Sequence, residues 1–288
     1  LNTMLTTGQM EIQLGVVGRA NSGVIYIDEI NLLPDHLVDS LITVASQKYN
    51  IIERDGVQYA HPAQFILIGT MNEEEGELRP HFAEKIGLSV TLQTANDPHT
   101  RMNILTRNLR AKSSAPQSPK AIERDHQLQA RIEEAQEILP QVIITKQIKK
   151  FIAVLCAQIK VDGYRPDLVI LRTARAAAAM DKRKKIMTKD LLLAARLALP
   201  HRTRNTGLLA PLTDQEIIQA FWRAIETVGL ELEDTKKLQQ KSINAEQKQQ
   251  KKEQKKEIEF ESLGTKAGLL ALFFLLFAYI VFEVGRYS

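Results

Sequence analysis

Two adjacent acids, Asp28 and Glu29, close a short apolar run, Val24 to Ile27, that begins after Gly23. The run is β-branched and aromatic, as a buried, parallel strand is when its carboxyl end opens into a polar site. Ligands of open α/β sheets sit off the carboxyl ends of strands. Acids in that place suit a division of labour: one holds Mg²⁺ and the other orients or deprotonates an attacking water. An ordinary strand ending in two solvated acids would carry the same residues. A second apolar run, Phe65–Thr70, ends at Met71 and Asn72. Asn72 thus lies at a strand tip as Asp28 does, where an amide can hold a water or a phosphate oxygen.

The surrounding elements must hold these tips in place. Pro34 opens a helix whose Leu37, Val38, Leu41, Ile42 and Ala45 recur with helical spacing. Asn50–His61 reads as a hairpin around Asp55-Gly56, a strong turn signal between strand formers. His81–Ile86 reads as a short helix and Leu88–Leu92 as a third short strand. After Asn96 the pattern changes. Asp97-Pro98 starts a helix to about Lys112, Ser113–Pro119 is a Ser/Pro linker, and from Lys120 to Arg204 the pattern is helical throughout. Thr145–Val161 places Ile148, Phe151, Ile152, Leu155 and Ile159 on one face. Thr188 is placed as the N-cap of a further helix, and Thr213-x-x-Glu216 is a capping box.

The chain has 288 residues, 44 % hydrophobic and 25 % charged, so most of it is globular. A net charge of +4, with no basic aromatic stripe, excludes a nucleic-acid partner. One cysteine, Cys156 in an apolar setting, excludes a disulfide framework and reads as core packing. The six histidines show no metal-ligand spacing. Ala267–Phe282 holds sixteen residues without a charge, apolar on all sides, after a segment rich in Lys, Gln and Glu. Sixteen helical residues span roughly 24 Å, short of the hydrocarbon core, with Lys266 placed to snorkel. The expectation is a single-pass C-terminal membrane anchor with the rest of the chain in the cytoplasm; a buried helix in an oligomer or a read-through product are the alternatives.

Together, Gly23–Asp39, Glu53–Gly56, His61-Pro62, Gly69–Asn72, Glu74–Pro80 and Gly87-Leu88, in this order, resemble one AAA+ family closely. It is the ATPase subunit of magnesium chelatase, with relatives among the MoxR-type ATPases; the resemblance covers about residues 1–204. It implies a P-loop NTPase α/β core followed by an α-helical lid, and use of ATP and Mg²⁺. Asp28 would be the Walker B aspartate that coordinates the metal. Glu29 would polarise the attacking water, and Asn72 would be sensor 1. The stretch Gly163–Leu168 through Arg172–Arg175 matches the start of the sensor 2 helix. Arg172 is the arginine chosen to reach the nucleotide, with Arg165 and Arg175 as lesser candidates.

Two departures stand out. No Gly-x-x-x-x-Gly-Lys-Ser/Thr occurs in the chain, so the phosphate loop and its strand are expected before Leu1, and the chain as it stands is expected to bind ATP poorly. The family has Asp-Arg-Phe where this chain has Glu84-Lys85-Ile86. Lys85 keeps the charge of the arginine finger but loses its bidentate fork, so slow hydrolysis is expected. The expected domains are the α/β core over 1–96, the lid over 97–204, a helical or charged linker over 205–262 and the anchor over 263–285. The resemblance implies a homo- or hetero-oligomeric ring. It also implies a partner carrying a von Willebrand A domain, or a porphyrin-metallating subunit. A MoxR-like chaperone or a membrane-tethered scaffold subunit with weak or no ATPase activity is the alternative.

Overall fold

The computed structural model describes residues 14–242 and residue 244, except 55–56, 77–78, 93, 95, 112–118 and 206–207. Two compact units emerge. Among the described residues, the first runs to Ile186 and resumes over Asp190–Leu230; the second comprises Met187–Lys189 and the described residues from Glu231.

The α/β part begins with a short helix α1 (Val16–Arg19) and strand β1 (Val24–Ile27). Helix α2 (Asp35–Gln47) follows, with Pro34 as its N-cap residue, one position before the helix proper. Strands β2 (Tyr49–Arg54) and β3 (Val57–Pro62) pair antiparallel as the expected hairpin; its Asp55-Gly56 tip lies outside the described residues. Strand β4 (Ile66–Gly69) pairs parallel with β1, residue for residue from Val24↔Ile66 to Ile27↔Gly69.

This sheet is buried on one face only. Ile25, Ile27 and Leu67 pack against Leu41, Val44 and Ala45 of α2 and against Phe65 and Ala63. Val24, Tyr26, Ile66 and Ile68 point the other way and are exposed. The run at β1 was expected to be buried throughout. The two-residue repeat of a strand turns alternate side chains to opposite faces, and α2 covers only one of them. Leu88–Leu92, expected as a third strand, forms none: no described strand lies beside it, and the Ser89 N–H donates instead to the Leu197 carbonyl at 2.8 Å.

A short helix α3 (Pro80–Ala83) leads out of the α/β part. Its Phe82, 2 % exposed, packs with Val38 and Ile42 of α2 and with Ile30. Helices α4 (Pro98–Ala111), α5 (Pro119–Ile138), α6 (Lys146–Ile159), α7 (Arg165–Met180), α8 (Thr188–Ala198) and α9 (Asp214–Val228) follow. The face predicted for α6 is the one that is buried: Ile148, Phe151, Ile152, Leu155 and Ile159. Phe151 meets Phe221 of α9 edge-on at 5.0 Å between ring centroids, the favoured aromatic geometry. Ala174 and Ala178 of α7, both fully buried, present small side chains to the helices beside them. Cys156 belongs to this core, and burial, with Asp167 beside it, pushes its thiol well above the usual value. That matches the packing role expected for it. Thr213 and Glu216 form the predicted capping box on α9. In the second unit, the Asp234 carboxylate accepts from the backbone N–H groups of Thr188 (2.8 Å) and Lys189 (3.0 Å). A helix start has free donors of this kind.

The expected membrane-anchored localisation is corrected. Among the described residues no helix is long and apolar enough to cross a membrane. The segment on which that expectation rested, 263–285, lies outside the described residues.

Leu155 is fully buried, so Leu155→Ala is expected to lower stability by about 2–5 kcal/mol in equilibrium urea unfolding. Leu105→Ala on α4, at a residue 63 % exposed, should shift it by no more than about 0.5 kcal/mol.

Candidate active site

Because β1 and β4 run parallel with Ile27 opposite Gly69, the next residue on each strand, Asp28 and Thr70, also face one another. The Thr70 hydroxyl donates to Asp28 Oδ1 at 2.5 Å and accepts from the Glu29 N–H at 3.1 Å. The Tyr26 hydroxyl, two residues back on the same face of β1, donates to the same Oδ1 at 3.2 Å. Backbone bonds from Thr70 N to Ile27 O and from Ile30 N to Thr70 O, both 2.9 Å, carry the pairing past the strand ends. The tips are thus joined by main chain and side chain at once.

Glu29 then turns the chain. Its backbone is left-handed, φ 53 and ψ 55, a region that non-glycine residues seldom occupy. The turn sends Ile30 inward, where it is 4 % exposed and lies across Gly69. A Cβ at Gly69 would meet the Ile30 side chain at 3.1 Å, so the bare backbone there lets Ile30 close the floor of the site. Asp28 and Glu29 remain exposed.

Asn72 follows on the β4 side. Its Oδ1 accepts from the Glu74 N–H at 3.3 Å and caps the turn Glu73–Glu75. With the oxygen so engaged, the amide presents its NH₂ group as a donor. Asn31, just beyond Glu29, donates from Nδ2 to the carbonyls of Asn72 (3.4 Å) and Gly76 (3.0 Å), which ties the two segments together again.

Among the described residues no three His, Cys, Asp or Glu side chains cluster to hold a metal. Mg²⁺ needs no such cage: it is commonly bound by one or two carboxylates, with water and phosphate oxygens filling the rest of an octahedron. Asp28 fits that donor set. Its carboxylate is exposed, and the oxygen not engaged by Thr70 and Tyr26 makes no hydrogen bond to a described residue.

Lys85 and Arg172 do not touch this pair. Lys85 Nζ lies 3.1 Å from Asp39 Oδ1 on α2, with His81 Nε2 3.9 Å from the other oxygen of the same carboxylate. One turn earlier on α2, Asp35 pairs with Arg79. The segment 79–85 is therefore docked by charge on the α2 surface. Arg172 is exposed on α7 and makes no hydrogen bond or ion pair with a described residue. Arg175 donates to the Leu139 carbonyl at 2.9 Å. Arg165 reaches the Glu84 carbonyl at 3.5 Å.

Several residues of this region were not singled out by sequence reasoning. Thr70 and Tyr26 were legible in principle: each sits on the face of Asp28 once the strands are parallel and in register. Asp39 lies one turn after Asp35 and offers a helical spacing to read. His201 and Arg202 gave no signal, because their partners are more than a hundred residues earlier in the chain. His201 lies between the Ser89 hydroxyl (2.7 Å from Nδ1) and the Ile86 carbonyl (3.1 Å from Nε2). The carbonyl can only accept, so Nε2 carries the proton and Nδ1 accepts from serine. Burial first, and then the Arg202 guanidinium, push the imidazole down to about 4.

Residues 2–81 match the family model described as magnesium chelatase, subunit ChlI, and residues 149–221 match that of the AAA lid domain. A magnesium-chelatase subunit ChlI homolog of Methanocaldococcus jannaschii is 37 % identical over 214 residues, which is 74 % of this chain and 58 % of that protein. The magnesium-chelatase 38 kDa subunit of Chlorobaculum tepidum is 40 % identical over 205 residues, 71 % of this chain and 52 % of that one. The chain thus spans somewhat more than half the length of these relatives. A crystal structure from Cytophaga hutchinsonii, described as an ATPase, shares the fold with a TM-score of 0.52 at 16 % identity, over 74 % of this chain and 68 % of that one.

The His201 value fixes the sign of a pH effect. The unfolded imidazole titrates near 6.5 and the folded one near 4, so the unfolded state binds the proton first as pH falls. The stability that His201 allows is complete above pH 6.5 and drains away down to about pH 4, by on the order of 3 kcal/mol. Urea unfolding at pH 7.5 and 4.5 should show a larger loss in the parent protein than in His201→Gln.

Proposed function

From the similarity of residues 2–81 to magnesium chelatase, subunit ChlI, and of residues 149–221 to the AAA lid domain, we propose that this chain is the ATP-hydrolysing motor subunit of a chelatase-like complex. In this reading hydrolysis drives metal insertion or remodelling by a partner subunit. The observation that carries it is the joined pair of strand tips, with Asp28 held by Thr70 and Tyr26 and Glu29 turned outward beside it.

The roles proposed for these residues are compatible with that geometry. Asp28 would hold Mg²⁺ through its free oxygen; bound there, the ion would supply charge neutralisation to the phosphates of ATP. Glu29 accepts a hydrogen bond from the attacking water and orients it in line with the γ-phosphate. Its backbone N–H is anchored on Thr70, so the carboxylate starts from a fixed point. Asn72, whose oxygen accepts from the Glu74 N–H, donates from its NH₂ group to a γ-phosphate oxygen, which can only accept.

Lys85 supplies positive charge to the site of a neighbouring subunit in a ring. It must leave Asp39 to do so, and that step is cheap: an exposed ion pair contributes only about 0–1 kcal/mol. As a point charge rather than a fork, it stabilises the transition state less than arginine would. Arg172 on α7, which bonds to no described residue, is the lid residue proposed to approach the nucleotide. The partners that fit this reading are copies or paralogues in the ring, together with a subunit bearing a von Willebrand A domain or one that metallates a porphyrin.

In the complete protein with Mg²⁺ and ATP, Glu29→Gln is expected to keep nucleotide binding and to cut turnover by about a hundredfold or more. Single-turnover hydrolysis with a parallel binding titration measures both. Turnover equal to the parent's would remove Glu29 from the chemistry.

A further inference from the structure

Residues 84–89 join α3 to the irregular stretch beyond it and belong to no strand, so their carbonyls have no ladder to satisfy them. The end of the helical part supplies the partners. Arg202, 3 % exposed, lies just past α8. Its Nε donates to the Ala198 carbonyl at 3.1 Å, which anchors it on its own helix. Its Nη1 donates to the Glu84 carbonyl, and its Nη2 to those of Ile86 (2.8 Å) and Gly87 (3.2 Å). The residues on either side add to this grip: His201 binds Ile86 and Ser89, and the Thr203 hydroxyl donates to Glu84 Oε1 at 2.7 Å. The carbonyls immediately before and after Lys85 are thus both held by one planar guanidinium. The Lys85 side chain leaves on the other side, toward Asp39.

We infer that Arg202 is a positioning residue for Lys85: by holding the backbone on both sides of it, Arg202 makes the ammonium offered to a neighbouring subunit move with the end of α8. This rests on the reading of Lys85 as a group that acts in the neighbour's site. A guanidinium is suited to the task because its donors lie in one rigid plane, so it fixes the direction of the segment as well as its place. A lysine also has three donors, but they sit on one freely rotating nitrogen at the end of a flexible stem and do not fix the direction of the segment. Arg202 itself stays out of the chemistry, since it is buried and four of its five N–H donors are held by backbone carbonyls. The device also joins two parts of the molecule that sequence separates by more than a hundred residues. A displacement of α8 is transmitted to the Lys85 backbone without any change at Asp28 or Glu29.

The test uses the complete protein in its assembled, ATP-hydrolysing form, with Arg202→Met, Arg202→Lys, Lys85→Ala and the Arg202→Met/Lys85→Ala double variant. Steady-state kinetics are read together with amide hydrogen exchange at Ser89, whose N–H is bonded to Leu197. Arg202→Met is expected to lower kcat at least about tenfold with KM for ATP nearly unchanged, and to speed exchange at Ser89. Arg202→Lys, which keeps the charge and the stem, should fall between, and it carries the test if the Met variant does not fold. The double variant should be no slower than Lys85→Ala alone. Multiplying losses in the double variant would overturn the inference, as would faster Ser89 exchange with parental kcat. Lys85→Ala with parental kcat would overturn the reading of Lys85 itself. If Lys85→Ala is slow while both Arg202 variants are not, the inference alone fails.

Discussion

The hydroxyl of Thr70 stands between two parallel strand tips, and the candidate site depends on what it does there. It donates a hydrogen bond to Asp28 and accepts one from the backbone N–H of Glu29. A carboxylate at a strand end would otherwise sample several rotamers, and a left-handed residue after it would have nothing to hold its N–H. One side chain removes both freedoms. The backbone pairing beyond Ile27 and Gly69 and the close seat of Ile30 over Gly69 make the same junction stiff from below. Preorganisation of this kind is what the roles proposed for Asp28 and Glu29 require of two acids one residue apart.

The helical part contributes through another kind of contact. Its core is apolar and local, built on Phe151, Leu155, Ile170 and Phe221, all fully buried. Its link to the residues around Lys85 is polar, made of a buried arginine, a neutral histidine and backbone carbonyls. Such a joint has direction, because each hydrogen bond has a preferred angle, and it weakens steeply when geometry drifts. An apolar seam would slide; this one holds a register. That difference suits a subunit proposed to convert hydrolysis into motion.

Much of this was legible in the sequence. The two strand runs, the hairpin, the apolar face of α6 and the capping box of α9 follow from periodicity and local turn chemistry, and they appear where those rules put them. The placement of Asp28, Glu29 and Asn72 just past the strand ends was legible because that is where polar residues leave an apolar run. Other features were not. The exposed face of β1 and β4 depends on what packs against the sheet, and a four-residue run does not report that. The missing strand at Leu88–Leu92 had the composition of a strand but no neighbour among the described residues to pair with. The contacts of Arg202 join residues far apart in the chain, and no local pattern marks a buried arginine whose partners are carbonyls.

The central claim is that Thr70 sets Asp28 and Glu29 for catalysis. ATP turnover by Thr70→Val and Thr70→Ser variants of the complete protein tests it most directly, since valine keeps the shape and removes the hydroxyl. The account predicts that Thr70→Val loses at least about tenfold in kcat while Thr70→Ser stays within a few-fold of the parent. A valine variant that hydrolyses ATP at the parental rate would contradict it.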